Sequence, residues 1–336
     1  MSGVRGFLGR LVLRANWAVV SWVLRAAAKR WFTTLLILWA LWREVVPSQR
    51  SSLSLNSAVN TKEKHAPAPV VGGATGSNTK QTSSPAPYPT ATDLVLVCGH
   101  AVFVGSDYGN ANDESSWFLE EYQKTPGQAD ALINHMKRGV ELVAKNENAL
   151  LVFSGGTTRK NAGSVSEASS YWQVARANKW WGFGEDDGDG NNGIQKRAFT
   201  EEHARDSYEN VVFSIARFRE LTGRIPQSVT VVGYEFKRQR FEVNHLCALR
   251  YPANQFKYEG LPAASLERET QSEISEITVR KQFEKDPYGC VGVLGNKRQE
   301  RDPFKTGQPY VLSNPDLANL FNHCDGEKTF DGELPW

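Results

Sequence analysis

The chain has 336 residues, 40% of them hydrophobic, with 39 Lys and Arg against 37 Asp and Glu for a formal charge of +2. Such a composition excludes a wholly disordered or fibrous chain, and the length fits two domains or one large domain with extensions. Residues 1–50 hold eight basic residues and one acid, which leaves 31 basic and 36 acidic in the other 286, so nucleic acid is not an expected partner.

Positions 31–42 run without a charge, and apolar character resumes at Val45 and Val46. A spanning helix needs about twenty mostly apolar residues, so a membrane helix over 31–46 requires flanking Arg and Lys to snorkel. Six basic residues precede the segment. The expected topology is therefore single-pass, with a cytoplasmic N-terminus and the long C-terminal part across an endomembrane such as the ER or Golgi. Two rivals stay open. One is a mitochondrial transit peptide, because the first acid is Glu44. The other is a cytoplasmic protein held to a membrane surface by an amphipathic helix carrying Trp17, Val20, Trp22 and Leu24. Residues 47–92 contain six Pro, eight Ser, six Thr and one aromatic, Tyr88, and read as a disordered tether.

From Asp93 the pattern is that of an α/β domain, 93–262, followed by a charged extension, 263–336. The apolar runs 94–98, 150–153 and 229–233 predict strands buried on both faces, and 256–258 predicts a late strand. Helical spacing covers 127–146, 166–177, 206–221 and 237–249. In the extension, helices are expected over 272–283 and after Pro315. Strands alternating with helices imply a parallel sheet covered on both faces. Four cysteines, Cys98, Cys247, Cys290 and Cys324, are too few for a disulfide scaffold and lack CxxC spacing, which leaves the redox compartment open.

Ligands of open parallel sheets bind beyond the carboxyl ends of the strands. Three such ends are polar here: Gly99-His100, then Ser154-Gly155-Gly156, then the basic run Lys237-Arg238-Gln239-Arg240. The paired glycines suit either an anion cradle made of backbone N–H groups or an ordinary tight turn. Lys237 and Arg240 sit at a helix start, where the dipole disfavours cations, so they point to an anionic ligand or to a solvated basic surface. Asp206 or Ser207 caps the helix that follows, Ser207 and Asn210 forming an imperfect capping box. Capping leaves Glu201, Glu202 and His203 unexplained. Glu201 and His100 are the candidate proton-transfer groups. No histidine spacing predicts zinc, the acidic run 185–193 fails the EF-hand pattern and reads as a flexible loop, and no cofactor is assigned.

Taken in order, these segments resemble the domain of unknown function 218 family, the SanA-like and YdcF-like bacterial envelope proteins, in a fungal membrane-protein branch. The resemblance rests on Phe153-Ser154-Gly155-Gly156, on Ser166-Glu167-Ala168, on Glu201 with Asp206-Ser207-Tyr208-Glu209-Asn210, and on Val229-Thr230-Val231-Val232 with Arg240. Lys237 stands where the family has His. It implies a Rossmann-like three-layer domain behind one membrane helix, with a polar site at the strand ends and no settled reaction. The expected function is a membrane-tethered domain that binds, and in an enzymatic version processes, a small nucleotide- or phosphate-containing anion. Gly155, Gly156, Lys237 and Arg240 would hold it, Glu167, Glu201 and Asn210 would orient it, and Gly99, Ser154, Ser207 and Glu209 complete the expected binding site. The alternative is a non-catalytic membrane adaptor acting through its linker and extension.

Overall fold

A computed structural model describes residues 86–183 and 193–336. The expected membrane helix at 31–46, the amphipathic face at 17–24, the tether up to residue 85 and most of the acidic run 185–193 lie outside the described residues. Among the described residues no helix is long and apolar enough to cross a membrane.

In chain order, β1 (Asp93–Cys98) is followed by a small antiparallel pair, β2 (Val102–Phe103) and β3 (Trp117–Phe118), and then by α1 (Gln128–Ala144). Next come β4 (Ala149–Ser154), α2 (Glu167–Ala177), β5 (Ala198–Glu201), α3 (Ser207–Thr222) and β6 (Ser228–Tyr234). A distorted helical stretch leads through α4 (Leu246–Leu249) to β7 (Phe256–Leu261). The extension adds α5 (Leu266–Lys285), α6 (Gly292–Glu300), α7 (Tyr310–Ser313) and α8 (Ala318–Asn322).

Five strands form one all-parallel sheet in the order β5-β4-β1-β6-β7. Its central strands alternate between two apolar layers. Val95, Val97, Leu151 and Phe153 pack with Leu132, Met136 and Val140 of α1 and Tyr171 and Val174 of α2. Leu94, Leu96, Leu150 and Val152 pack with Val211, Ile215 and Phe218 of α3 and with Leu249. Burial on both faces is why these strands read as unbroken apolar runs. A Cβ at Gly139 would overlap Val97 Cγ2, so this glycine lets α1 cross the sheet closely. Ser166 caps α2 by accepting the Ser169 N–H, and Asp206 caps α3 by accepting the N–H groups of Tyr208 and Glu209.

Two expectations are corrected. The helix expected over 237–249 is interrupted: a 3-10 turn, Glu235–Lys237, precedes a π-wound stretch, Arg240–His245, and only Leu246–Leu249 is α-helical. The wider winding brings i and i+5 close, so Arg240 and His245 both reach Ser207 Oγ, at 3.3 and 2.8 Å. The extension, in turn, is no appendage. Phe283, Tyr288, Leu294, Tyr310, Leu317 and Leu320 belong to the same core as α3 and the sheet. Cys290 and Cys324, which the spacing left unpaired, form a disulfide across 34 residues.

The chain runs outward from β1 to β4 and β5, then crosses back to β6 and β7 on the other side of β1. Loops leaving β1 and β6 therefore diverge, and the crevice between them is where such a sheet can take a ligand.

Candidate functional site

A cleft of about 320 Å³ occupies that crevice. Of the residues singled out from the sequence, Gly99, His100, Glu167, Ser207, Asn210, Lys237 and Arg240 line it. Their convergence follows from the topology: Gly99 and His100 end β1, Lys237 and Arg240 follow β6, Glu167 opens α2, and Ser207 and Asn210 open α3. Gly99 is required by crowding, since a Cβ there would sit 2.7 Å from Glu167 Cβ.

Ser154, Gly155, Gly156, Glu201 and Glu209 stand behind the cleft wall. The Gly155 N–H donates to the Glu201 carbonyl at 3.0 Å and the Gly156 N–H to the Ala204 carbonyl at 2.7 Å. Both N–H groups are thus spent inside the fold, and the Ser-Gly-Gly segment is a turn that joins β4 to the loop after β5. Ser154 Oγ donates to Glu201 Oε2 at 2.6 Å and lies 3.1 Å from Asn210 Oδ1. Glu201 Oε1 accepts the His203 N–H at 2.8 Å and the Tyr310 hydroxyl at 3.2 Å. Burial pushes the Glu201 carboxyl up to about 7. Its partners make it a brace between β4, β5 and the extension. Glu209 is an ion-pair anchor: it accepts Arg205 Nε at 2.9 Å and faces Arg298 Nε at 3.4 Å.

His100 and Lys237 form the centre of the cleft. Lys237 Nζ lies 3.3 Å from His100 Nδ1 and over the Tyr234 and Phe236 rings, 5.5 and 5.8 Å from their centroids. Burial, then the positive charge of Lys237, holds the imidazole well below its ordinary range, so His100 is neutral at pH 7. Its Nδ1 faces the Lys237 amine, and its Nε2 is a buried nitrogen with no partner among the described residues. Burial, reinforced by Arg240, lowers Lys237 to about 7. The Cys98 thiol also lines the cleft, but burial pushes it up to about 12, so it is no thiolate nucleophile at neutral pH.

The extension supplies the opposite wall, which the sequence reading missed. Arg268, Ser272 and Glu276 of α5, Lys297 of α6, and Arg301 all line the cleft. Arg240 is clamped by Glu276, Nε donating to Oε1 at 2.6 Å with a second contact between the Arg240 terminal amine and Oε2. Seven Lys and Arg line the cleft against three Asp and Glu. Arg159, Arg205 and Arg240 face carboxylates at 3.2, 2.6 and 2.6 Å, and Asp206 is held by Arg298 at 2.6 Å. Lys237, Arg268, Lys297 and Arg301 have no carboxylate partner among the described residues. Opposite them stands Glu167, whose Oε1 accepts from the Thr158 hydroxyl. Desolvation together with Arg301, Arg240 and Arg159 lowers Lys297, at the exposed rim, to about 8. Among the described residues no group of three His, Cys, Asp or Glu is placed to hold a metal ion.

The chain is similar to an uncharacterized protein of Saccharomyces cerevisiae, YOR238W, at 26% identity over 278 residues, covering 70% of this chain and 90% of that one. No family model and no solved structure matches the chain.

Proposed function

We propose that this protein binds a small phosphate-containing anion in the cleft at the carboxyl ends of β1 and β6. The domain would be Rossmann-like, related to the domain of unknown function 218 family, and attached to a membrane through residues 31–46. The observation that carries the reading is the surplus of cations: Lys237, Arg268, Lys297 and Arg301 lack carboxylate partners among the described residues and converge on a concave site. Holding like charges together in a partly desolvated cleft is costly, and a bound anion removes that cost. Arg240 supports the site from behind, since Glu276 already occupies its guanidinium.

The cleft also contains the parts for proton transfer. Lys237, lowered to about 7, can transfer a proton, and neutral His100 beside it can hydrogen-bond a phosphoryl oxygen through its ring N–H. Glu201 is unsuited to that role because its carboxylate is enclosed by Ser154, His203 and Tyr310. The Cys290–Cys324 disulfide supports maturation in an oxidising compartment, in keeping with a domain on the lumenal side of an endomembrane.

Thermal denaturation of the purified full-length chain with a panel of nucleotides, sugar phosphates and lipid-linked phosphates tests the reading. A ligand at 100 times its dissociation constant stabilises by about 2.7 kcal/mol. The expected result is a shift that disappears in Lys237→Ala. A flat panel on a cooperatively folding protein overturns it.

A further inference from the structure

We propose that the cleft is built for two linked phosphoryl groups, one held at the strand ends by Lys237 and His100 and the other by Lys297 and Arg301 of the extension. The inference rests on the anion-binding reading above and adds the ligand class, an organic or inorganic diphosphate.

Charge balance points to two groups over one. Among the described residues, four lining cations have no carboxylate partner and Glu167 is the one lining acid that no cation neutralises. The site thus carries an uncompensated charge of roughly three once Lys237 is fully protonated by the anion it meets. A monophosphate ester brings about −1.5 to −2 at pH 7 and leaves positive charge unmatched. A second phosphoryl group closes the balance.

Three of the four cations fall into two sets on separate elements, while Arg268 stands on α5 over the Tyr122 ring. Lys237 lies against His100, between the ends of β1 and β6. Lys297 and Arg301 come from α6 and the residue that ends it, and Arg301 is steadied by donating to the Arg205 carbonyl at 3.1 Å. Lys237, Lys297 and Arg301 all line the one cleft, so a single ligand can meet both sets. His100 Nε2 and Ser272 Oγ, on lining residues, are buried without a partner among the described residues. Tyr122, Tyr234 and Phe236 add aromatic surface to the lining, where the organic part of the ligand can pack.

The test is calorimetric titration of the full-length protein with inorganic phosphate and with inorganic pyrophosphate. Pyrophosphate is expected to bind at least tenfold tighter. In Lys297→Ala, an exposed residue with no carboxylate partner among the described residues, pyrophosphate loses more affinity than phosphate and that advantage disappears. In Lys237→Ala both ligands weaken. Equal affinity for the two anions, or an advantage retained in Lys297→Ala, overturns the two-group site and leaves the anion reading standing. Failure of both anions to bind the folded protein overturns both. Titration with a nucleoside diphosphate and an isoprenoid diphosphate then separates the sources, the tighter ligand identifying what the aromatic surface accepts.

Discussion

The strand-end wall of the cleft is set by apolar burial, whereas the wall supplied by residues 263–336 adds ion pairs at the cleft to its own apolar burial. Gly99, His100 and Lys237 stand on β1 and β6, strands that are apolar and buried on both faces. The extension instead meets the cleft through charges: Arg240 with Glu276, Arg205 with Asp302, and Asp206 with Arg298. Apolar burial is non-directional and tolerates small changes, whereas a buried ion pair fails when one partner is lost. The extension wall is therefore the place where single substitutions act most strongly on the site.

The largest expected effect comes from ending the chain after residue 265. Tyr288, Leu294, Tyr310, Leu317 and Leu320 would leave the core. At about 1.5–3 kcal/mol for each large apolar side chain, their loss rivals the whole stability of a domain. Circular dichroism should show no cooperative melt, and a cooperative transition in the truncated protein would erase the contrast between the walls. It also follows that lost function in such a truncation is no argument for an adaptor role.

A smaller loss is expected from Glu276→Ala. Arg240 and Glu276 have side chains only 13% and 6% exposed. Removing the acid strands a buried guanidinium and should cost about 3–5 kcal/mol in chemical denaturation. The double variant Arg240→Met with Glu276→Leu should recover most of it. A single variant as stable as the parent would show that the extension wall does not depend on this pair.

The smallest effect is on pH dependence, and it probes the other wall. Burial holds His135 and His245 down at about 3 and His100 well below its ordinary range. These imidazoles stay neutral in the folded state but gain protons on unfolding below about pH 6.5. Stability is thus full above that pH and is lost as pH falls toward 3. Glu201, raised to about 7, works the opposite way between pH 7 and its ordinary value, as one group against three. His135 is fully buried with neither ring nitrogen partnered. His135→Phe should therefore keep or raise stability at pH 7 and reduce the acid loss by about 2 kcal/mol at pH 5. An unchanged acid profile would show that this imidazole titrates freely.

Local pattern was enough for four of the five sheet strands and for the caps, but not for β5. The runs at 94–98, 150–153 and 229–233 became β1, β4 and β6, and Ser166 and Asp206 became the caps of α2 and α3. These features depend on neighbours a few residues away, which the chain order itself displays. The strand-end cleft wall was legible for the same reason, since polar residues directly after buried strands gather at one edge of a parallel sheet.

Tertiary contacts decided the rest. Glycines that suit an anion cradle in sequence donate their N–H groups to Glu201 and Ala204 instead. Helix α5 reverses the expected polarity, exposing Ile274 and Ile277 at 65% and 54% while burying Ser272 and Glu276. No periodicity could announce this, because Glu276 is buried by an arginine 36 residues away. Glu201 likewise looks like a free carboxylate until Tyr310, 109 residues later, closes over it. The sequence by itself determined the central strands and the capped helices, since apolar spacing and capping act locally, but not β5 or the broken helix at 237–249. Only the folded chain decided which polar groups meet across the cleft, because that depends on charges paired over long sequence distances.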